Sequence, residues 1–250
     1  MAEYNVEAIV VRVKAFGEAD RLVHLLTREA GKLRVVARGA RRPKSRFTPA
    51  MQLFTHCQVQ CYRGRTLDGV RQVQILESFR ALREDLERMA HATYACEMAD
   101  ELVLERQPAE AVFSLLLELL RTLASPDSVP GPALAAFQLQ LLALSGFRPE
   151  LGQCVACGSP VTGAHVRLSP AEGGILCERC AAGAGPVLRV ARGALEAMRF
   201  LQGAGVGRAG VLRLQEGLWE QVRRAIEEFV EFRLERRLRS RAFLDPGWRS

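Results

Sequence analysis

Residue periodicity and cysteine spacing predict a multidomain α+β chain: a small N-terminal β-barrel, then an α-helical domain with an inserted four-cysteine finger. Residues 1–80 alternate in hydropathy and are rich in Val and Ile. After residue 81 the apolar residues recur every three or four positions, and two CxxC motifs interrupt the helical part. The boundaries that follow are 1–80 for the barrel and 81–250 for the helical domain, with the finger at about 151–183.

Five strands are predicted in the first part. Val6 to Val13 and Arg21 to Thr27 are the first two. Glu29-Ala30-Gly31-Lys32 turns the chain into Leu33 to Ala37. Gln52 to Tyr62 alternates most clearly. Leu53, Cys57, Val59 and Cys61 face one side, while Gln52, Phe54, His56, Gln58, Gln60 and Tyr62 face the other. The Arg63-Gly64-Arg65 turn leads to a fifth strand over Thr66 to Leu76. Five short strands with one longer basic connection match the size and strand count of an OB-fold β-barrel. An SH3-like barrel fits the same pattern.

The helical grammar begins with Leu82, Leu86, Met89, Ala90, Thr93 and Met98. Ala111 to Leu123 is apolar nearly all round, as in a helix buried between others. Ser125-Pro126-Asp127 breaks it. Pro132 starts another helix that Ser145-Gly146 ends after Leu144. Gly193 to Leu201 and Gln215 to about Arg239 complete the set. In the last helix Leu218, Val222, Ile226, Phe229, Leu234 and Leu238 trace an apolar stripe, with Glu227, Glu228, Glu231, Arg233, Arg236 and Arg237 outside. The glycine-rich run 203–207 follows a helix rather than a strand and reads as an interhelical loop.

Cys154, Cys157, Cys177 and Cys180 form two CxxC knuckles separated by 19 residues. A two-residue gap lets both thiolates of a knuckle reach one tetrahedral ion, and two knuckles supply the closed four-sulfur shell of one structural zinc per chain. With all four positions held by protein, none remains for water or substrate, so a catalytic zinc is not expected. A redox CxxC or unmetallated thiols are the competing readings. The ion is expected to order a loop too poor in apolar residues to fold alone. His165 lies between the knuckles and reads as a surface residue before a substitute ligand. Cys57 and Cys61, about 13 Å apart along one strand face, read as core thiols, and so does Cys96.

The formal charge of +7 is concentrated at one end. Residues 1–80 hold 15 Lys/Arg and 7 Asp/Glu, leaving 20 and 21 for residues 81–250. Lys32, Arg34, Arg38, Arg41, Arg42, Lys44 and Arg46 fall in a window without an acidic residue. Such a stripe attracts polyanions and neutralises backbone phosphates with release of counterions. A solvated cationic face, an anionic membrane surface or an acidic partner stay open on charge alone. Arg12 and Lys14 share a strand face, as do Arg34 and Arg38, and residues 38–46 read as a flexible loop able to follow a phosphodiester path. Phe47, Phe54 and Tyr62 are candidates for base stacking, with partial burial at the barrel rim as the alternative.

The remaining composition excludes several classes. No GxxxxGK[ST] loop, no strand-linked GxGxxG and no assembled Ser/His/Asp or Cys/His set is present, which points to a binder and not an enzyme. The first residues lack a basic secretory region, and no uncharged apolar run reaches the roughly 18 residues of a membrane helix. Seven cysteines, an odd number, suit a reducing compartment, so a cytoplasmic protein is expected.

Three segments carry a resemblance to a known family. Val35-Val36-Ala37-Arg38-Gly39-Ala40-Arg41-Arg42-Pro43-Lys44-Ser45 is similar to the basic OB-fold signature of the bacterial recombination mediator family RecO. Leu141 to Leu151, with Ser145-Gly146-Phe147-Arg148-Pro149, resembles its approach to the zinc finger, and Arg239-Ser240-Arg241-Ala242-Phe243-Leu244 its C-terminal ending. The resemblance implies DNA repair and homologous recombination: binding of single- and double-stranded DNA, annealing of complementary strands and, with RecR, loading of RecA onto DNA coated with single-stranded DNA-binding protein. It also implies that the helical domain binds that protein's acidic C-terminal tail. A zinc-ribbon protein that binds RNA or associates with the ribosome is the alternative that the residues leave open.

Overall fold

The computed structural model describes residues 2–244; Met1 and the last six residues of the expected helical domain, 245–250, lie outside them. Five strands form a closed barrel: β1 (Glu3–Phe16), β2 (Asp20–Thr27), β3 (Gly31–Ala37), β4 (His56–Tyr62) and β5 (Asp68–Glu77). Their order is β1-β2-β3-β5-β4, with β4 returning to β1 and only β3 and β5 running parallel. This is an OB-like barrel, and it resolves the choice between the two barrel types. The strand β1 is longer than expected because a bulge between Val10 and Arg12 bends it, so that one strand pairs with both β2 and β4.

Inside the barrel the alternation places Val6, Ala8, Val10, Val23, Leu25, Leu33, Val35, Cys57, Val59 and Cys61 in one core. Burial pushes the Cys57 thiol up to about 12 and Cys61 to about 11, so both stay protonated, as core thiols should. The strand β4 begins only at His56. Gln52 to Thr55 turn instead, with Phe54 in the left-handed region at φ 75°, and the Phe54 ring is fully buried.

Three helices pack with the barrel: α1 (Arg80–Glu84), α2 (Leu86–Leu102) and α3 (Glu110–Ala124). The Asp85 carboxylate caps α2 by accepting from the amides of Glu87 and Arg88. One face of α3 is buried, with Phe113, Leu116, Leu119 and Leu120, while Ala111, Ser114, Glu118 and Arg121 are exposed; the helix is amphipathic rather than buried all round as expected. His56, expected on an open face, is 4% exposed beneath α3. It meets Phe113 edge-on at 5.8 Å and bonds Glu7 and Glu77. The segment between α2 and α3 seals one end of the barrel at Gly31. There φ is +60°, and a Cβ would lie 1.8 Å from the Gln107 carbonyl oxygen.

Residues up to Pro126, with the segment from Arg239, form one compact unit, and Asp127–Leu238 form a second. The 3₁₀ turn Arg239–Phe243 belongs to the first through Glu97, whose carboxylate accepts from the Ser240 amide at 2.8 Å. In the second unit α4 (Pro130–Leu144), α6 (Arg192–Gly203), α7 (Val206–Ala209) and α8 (Glu216–Leu234) pack together, and α6 and α8 also meet a three-stranded sheet. Its strands are β6 (His165–Ser169), β7 (Gly174–Leu176) and β8 (Leu188–Ala191), in order β7-β6-β8, and α5 (Glu178–Ala181) follows β7. The inserted finger is therefore less bare than its sequence suggests. Val166, Leu168, Ile175 and Leu176 are all buried, and β6 packs against α6. Two further details differ from expectation. The run 203–207 leads directly into the short helix α7, and α8 stops at Leu234, where Glu235 turns left-handed. Glu227 is buried and paired to Arg223, not outside.

Candidate nucleic-acid interface and metal centre

The basic residues of the barrel separate into two groups. Arg12 and Lys32 point at α2, where the buried Asp100 carboxylate receives Arg12 at 3.1 Å and His24 at 2.9 Å; Lys32 donates to the Asp100 carbonyl. Burial alone would raise the Asp100 carboxyl, but the His24 hydrogen bond and the charges of Lys32 and Arg12 hold it below the usual carboxylate range. Arg34 meets Glu105 at 2.8 Å in the segment after α2. The expectation that Arg12 and Lys32 offer their charges to an external polyanion is thus corrected: a buried acid 68 residues beyond Lys32 claims both. Arg34 stays exposed but already has a carboxylate partner.

In contrast, none of Lys14, Arg38, Arg41, Arg42, Lys44, Arg46 and Arg65 has a carboxylate partner among the described residues, and each is exposed. Their loop is held by a series of turns and hydrogen bonds. Arg42 and Ser45 lead successive turns, closed by bonds to Gly39 and Arg42. The Arg41 amide bonds the Ala19 carbonyl at 2.8 Å, and Thr48 donates to the Ala40 carbonyl at 2.9 Å. The loop is a plug. Phe47 and Met51 enter the barrel core and turn the cationic side chains outward. Phe47 is 7% exposed and Phe54 0%, so neither of these two stacking candidates is placed for base stacking: Phe47 is buried in the barrel core and Phe54 within the turn before β4. The Arg46 guanidinium covers the Phe47 ring at 5.0 Å and donates to the Arg71 carbonyl.

Next to the plug runs a groove of about 1500 Å³, lined by Arg38, Arg42, Arg63, Arg65 and Arg71 with Phe16 and Tyr62. Its three acidic residues are occupied. Asp20 accepts from the Gly39 amide at 2.7 Å, and Glu3 pairs with Arg71 at 2.7 Å. Asp68 takes Tyr4, Arg106 and the Gly64 amide, which fixes the loop between β4 and β5. These carboxylates orient the two basic loops and leave Arg38, Arg42 and Arg65 uncompensated, so the groove presents a net positive wall. Sequence reasoning missed Phe16, Arg63, Arg65 and Arg71. Arg63-Gly64-Arg65 was visible as a turn, and its two arginines were the signal that the turn faced the same side as the basic loop.

The four cysteines of the finger come together as their spacing predicts. Their Sγ atoms all lie within 4.8 Å of one another, and Cys157 and Cys177 are 3.8 Å apart. A tetrahedral ion with metal–sulfur bonds of about 2.3 Å sets its sulfurs about 3.8 Å apart, so the donor set fits zinc in size and chemistry. The first knuckle turns at Gly158, φ +72°, with the Gly158 amide bonded to the Cys154 carbonyl at 2.8 Å. The second opens α5 at Cys177. Crowding drives the thiols apart in acidity. The Ser159 hydroxyl pulls Cys157 down to about 6, while Cys177 and Cys157 push Cys180 up to about 12. Four thiolates at this density need a cation to coexist, and these residues can hold one. His165 is not among them; it sits on β6 beside Arg189 at 3.3 Å.

No helix among the described residues is long and apolar enough to cross a membrane. The family model for the recombination protein O N-terminal region matches residues 1–79, and that for its C-terminal region matches residues 83–242. A DNA repair protein RecO from Symbiobacterium thermophilum is 50% identical over 247 residues, covering 98% of each chain. Relatives of the same name from Desulforudis audaxviator and from Anaeromyxobacter sp. strain K are 42% and 40% identical, each over 98% of this chain and 97% of their own. The two models together match nearly the whole chain, and the chain belongs to the recombination protein O (RecO) family.

Proposed function

We propose that this protein is a DNA repair and recombination mediator that holds DNA on the barrel and works without catalytic turnover. The observation that carries the reading is the cluster of uncompensated cations: Arg38, Arg41, Arg42, Lys44 and Arg46 on the plug, with Lys14 and Arg65 beside it. Cations free of carboxylates release counterions from bound phosphates, whereas ion-paired ones would first have to break a protein contact. The reading includes both single- and double-stranded DNA, because phosphate contact carries little base information. Annealing follows from the same chemistry. Two complementary strands repel through their phosphates, and a surface that neutralises one of them lowers the barrier to pairing.

In this reading residues 1–80 serve the nucleic acid, while 81–250 serve protein partners: RecR, the C-terminal tail of single-stranded DNA-binding protein and, indirectly, RecA. A single zinc ion, held by Cys154, Cys157, Cys177 and Cys180, staples the finger. Because all four donors are protein sulfurs, the ion has a scaffolding role. The setting is the cytoplasm, at the nucleoid.

Two experiments test this. Fluorescence anisotropy at one stated salt, with matched single-stranded DNA, duplex DNA and RNA, should show DNA binding, and complementary oligonucleotides should anneal faster with the protein. Preference for RNA, with no effect on annealing, would overturn the reading. Metal analysis should return about one zinc per chain, and Cys154→Ser should lower the melting temperature with little change in DNA affinity.

A further inference from the structure

Two aromatic rings line the groove without being buried. Phe16 ends β1 at the tip of the hairpin into β2 and is 43% exposed, although it lies in a wall of arginines. More than half of its surface is covered, and the rest is open to the groove. Tyr62 ends β4 opposite Gly69 of β5. A Cβ at position 69 would stand 2.1 Å from the Tyr62 Cζ and 2.3 Å from its Oη, so the ring occupies the space that a side chain there would fill. The ring is thereby braced on the strand by the absence of a side chain at Gly69, and it lines the same groove as Phe16. Neither Phe16 nor Tyr62 is buried, unlike Phe47 and Phe54.

We infer that Phe16 and Tyr62 form a stacking site for unpaired nucleobases, which makes the groove selective for single strands over duplex; this rests on the proposed binding of DNA to the barrel. Bases of a duplex are stacked on each other and turned inward, so a ring on the groove wall gains no contact with them. Bases of a single strand are free to leave the stack, and every base has a π-face, so such contact is sequence-tolerant. Arg38, Arg42 and Arg65 then hold the phosphates while the rings hold the bases. The plug around Arg41 and Lys44 has no exposed aromatic residue and treats both forms alike. Single-strand preference therefore resides in the groove, and affinity for duplex in the plug.

The test compares Phe16→Ala, Tyr62→Ala and Tyr62→Phe with the wild type on a single strand carrying 2-aminopurine and on a matched duplex, at one salt concentration. Each alanine variant should weaken single-strand binding by about fivefold or more, leave duplex binding within about twofold, and reduce the quenching of 2-aminopurine on binding. Tyr62→Phe keeps the ring and should restore both affinity and quenching. Phe16→Ala, at an exposed hairpin tip, decides the matter if Tyr62→Ala melts early. Unchanged single-strand affinity and quenching in Phe16→Ala and Tyr62→Ala, with binding still lost in the Arg38→Glu, Arg42→Glu variant, would overturn the stacking site and leave the groove in place. A preference for single strand over duplex that survives the double arginine reversal would overturn the groove reading itself.

Discussion

Arg34 and Arg38 stand four residues apart on and just beyond the same strand, and they have different fates. On one side of Val36, Lys32 is drawn with Arg12 to Asp100, and Arg34 to Glu105. On the other, Arg38, Arg41, Arg42, Lys44 and Arg46 meet no carboxylate among the described residues. The difference teaches that a basic run is defined as a surface by acids elsewhere in the chain. One half of the run fastens the helical layer to the barrel. The other half is held outward by an apolar plug and keeps its charge for a partner.

Breaking the inward half should have the larger energetic effect. Asp100→Ala leaves Arg12, His24 and Lys32 around an unfilled buried site, and removal of one member of such a set costs about 3 kcal/mol or more. Chemical denaturation should report that loss, with DNA affinity changed by less than about threefold. Equal losses of stability and affinity would merge the two halves. Breaking the outward half should do the reverse. Arg38→Glu, Arg41→Glu, Arg42→Glu should lower DNA affinity by about two orders of magnitude at low salt, with a melting curve close to that of the wild type.

A smaller effect sharpens the inward half by pH. Asp100 is held below the usual carboxylate range as described above, and so are Glu7, by Arg28, and Glu77, by Arg121. Groups depressed in the folded state stabilise it fully above their unfolded values, near pH 4, and that stability is lost as pH falls through their folded values. Denaturation midpoints should therefore be flat from about pH 7 to 5 and decline below about pH 4. Asp100→Asn should start lower and decline less. A parallel decline in wild type and variant would remove Asp100 from this account.

Much of this was legible in the sequence because it depends on period and spacing. The five strands follow from alternation, the helices from recurrence every three or four residues, and the cysteine cluster from two CxxC motifs. What was not legible depends on contacts between distant residues. No local pattern marks Asp100 as the partner of Arg12, because they are 88 residues apart. Phe54 matches the alternation of the strand that follows, yet a left-handed turn removes it from that strand and buries it. Phe47 reads as a loop aromatic and becomes the stopper of the barrel, since a closed barrel needs its end filled. The groove arginines at 63, 65 and 71 come from a turn and a strand whose position beside the basic loop only the barrel closure shows.

The salt dependence of single-stranded DNA binding tests the division of charge most directly, because its slope counts the phosphates neutralised. Three proteins suffice: wild type, Arg38→Gln with Arg41→Gln and Arg42→Gln, and Arg12→Gln with Arg34→Gln. The slope of log affinity against log salt should become shallower by about 0.7 for each outward arginine removed, near 2 in all. For the Arg12 and Arg34 variant the slope should match the wild type. Equal shallowing in both variants would contradict the account, since it would mean that Asp100 and Glu105 do not withhold their cations from DNA.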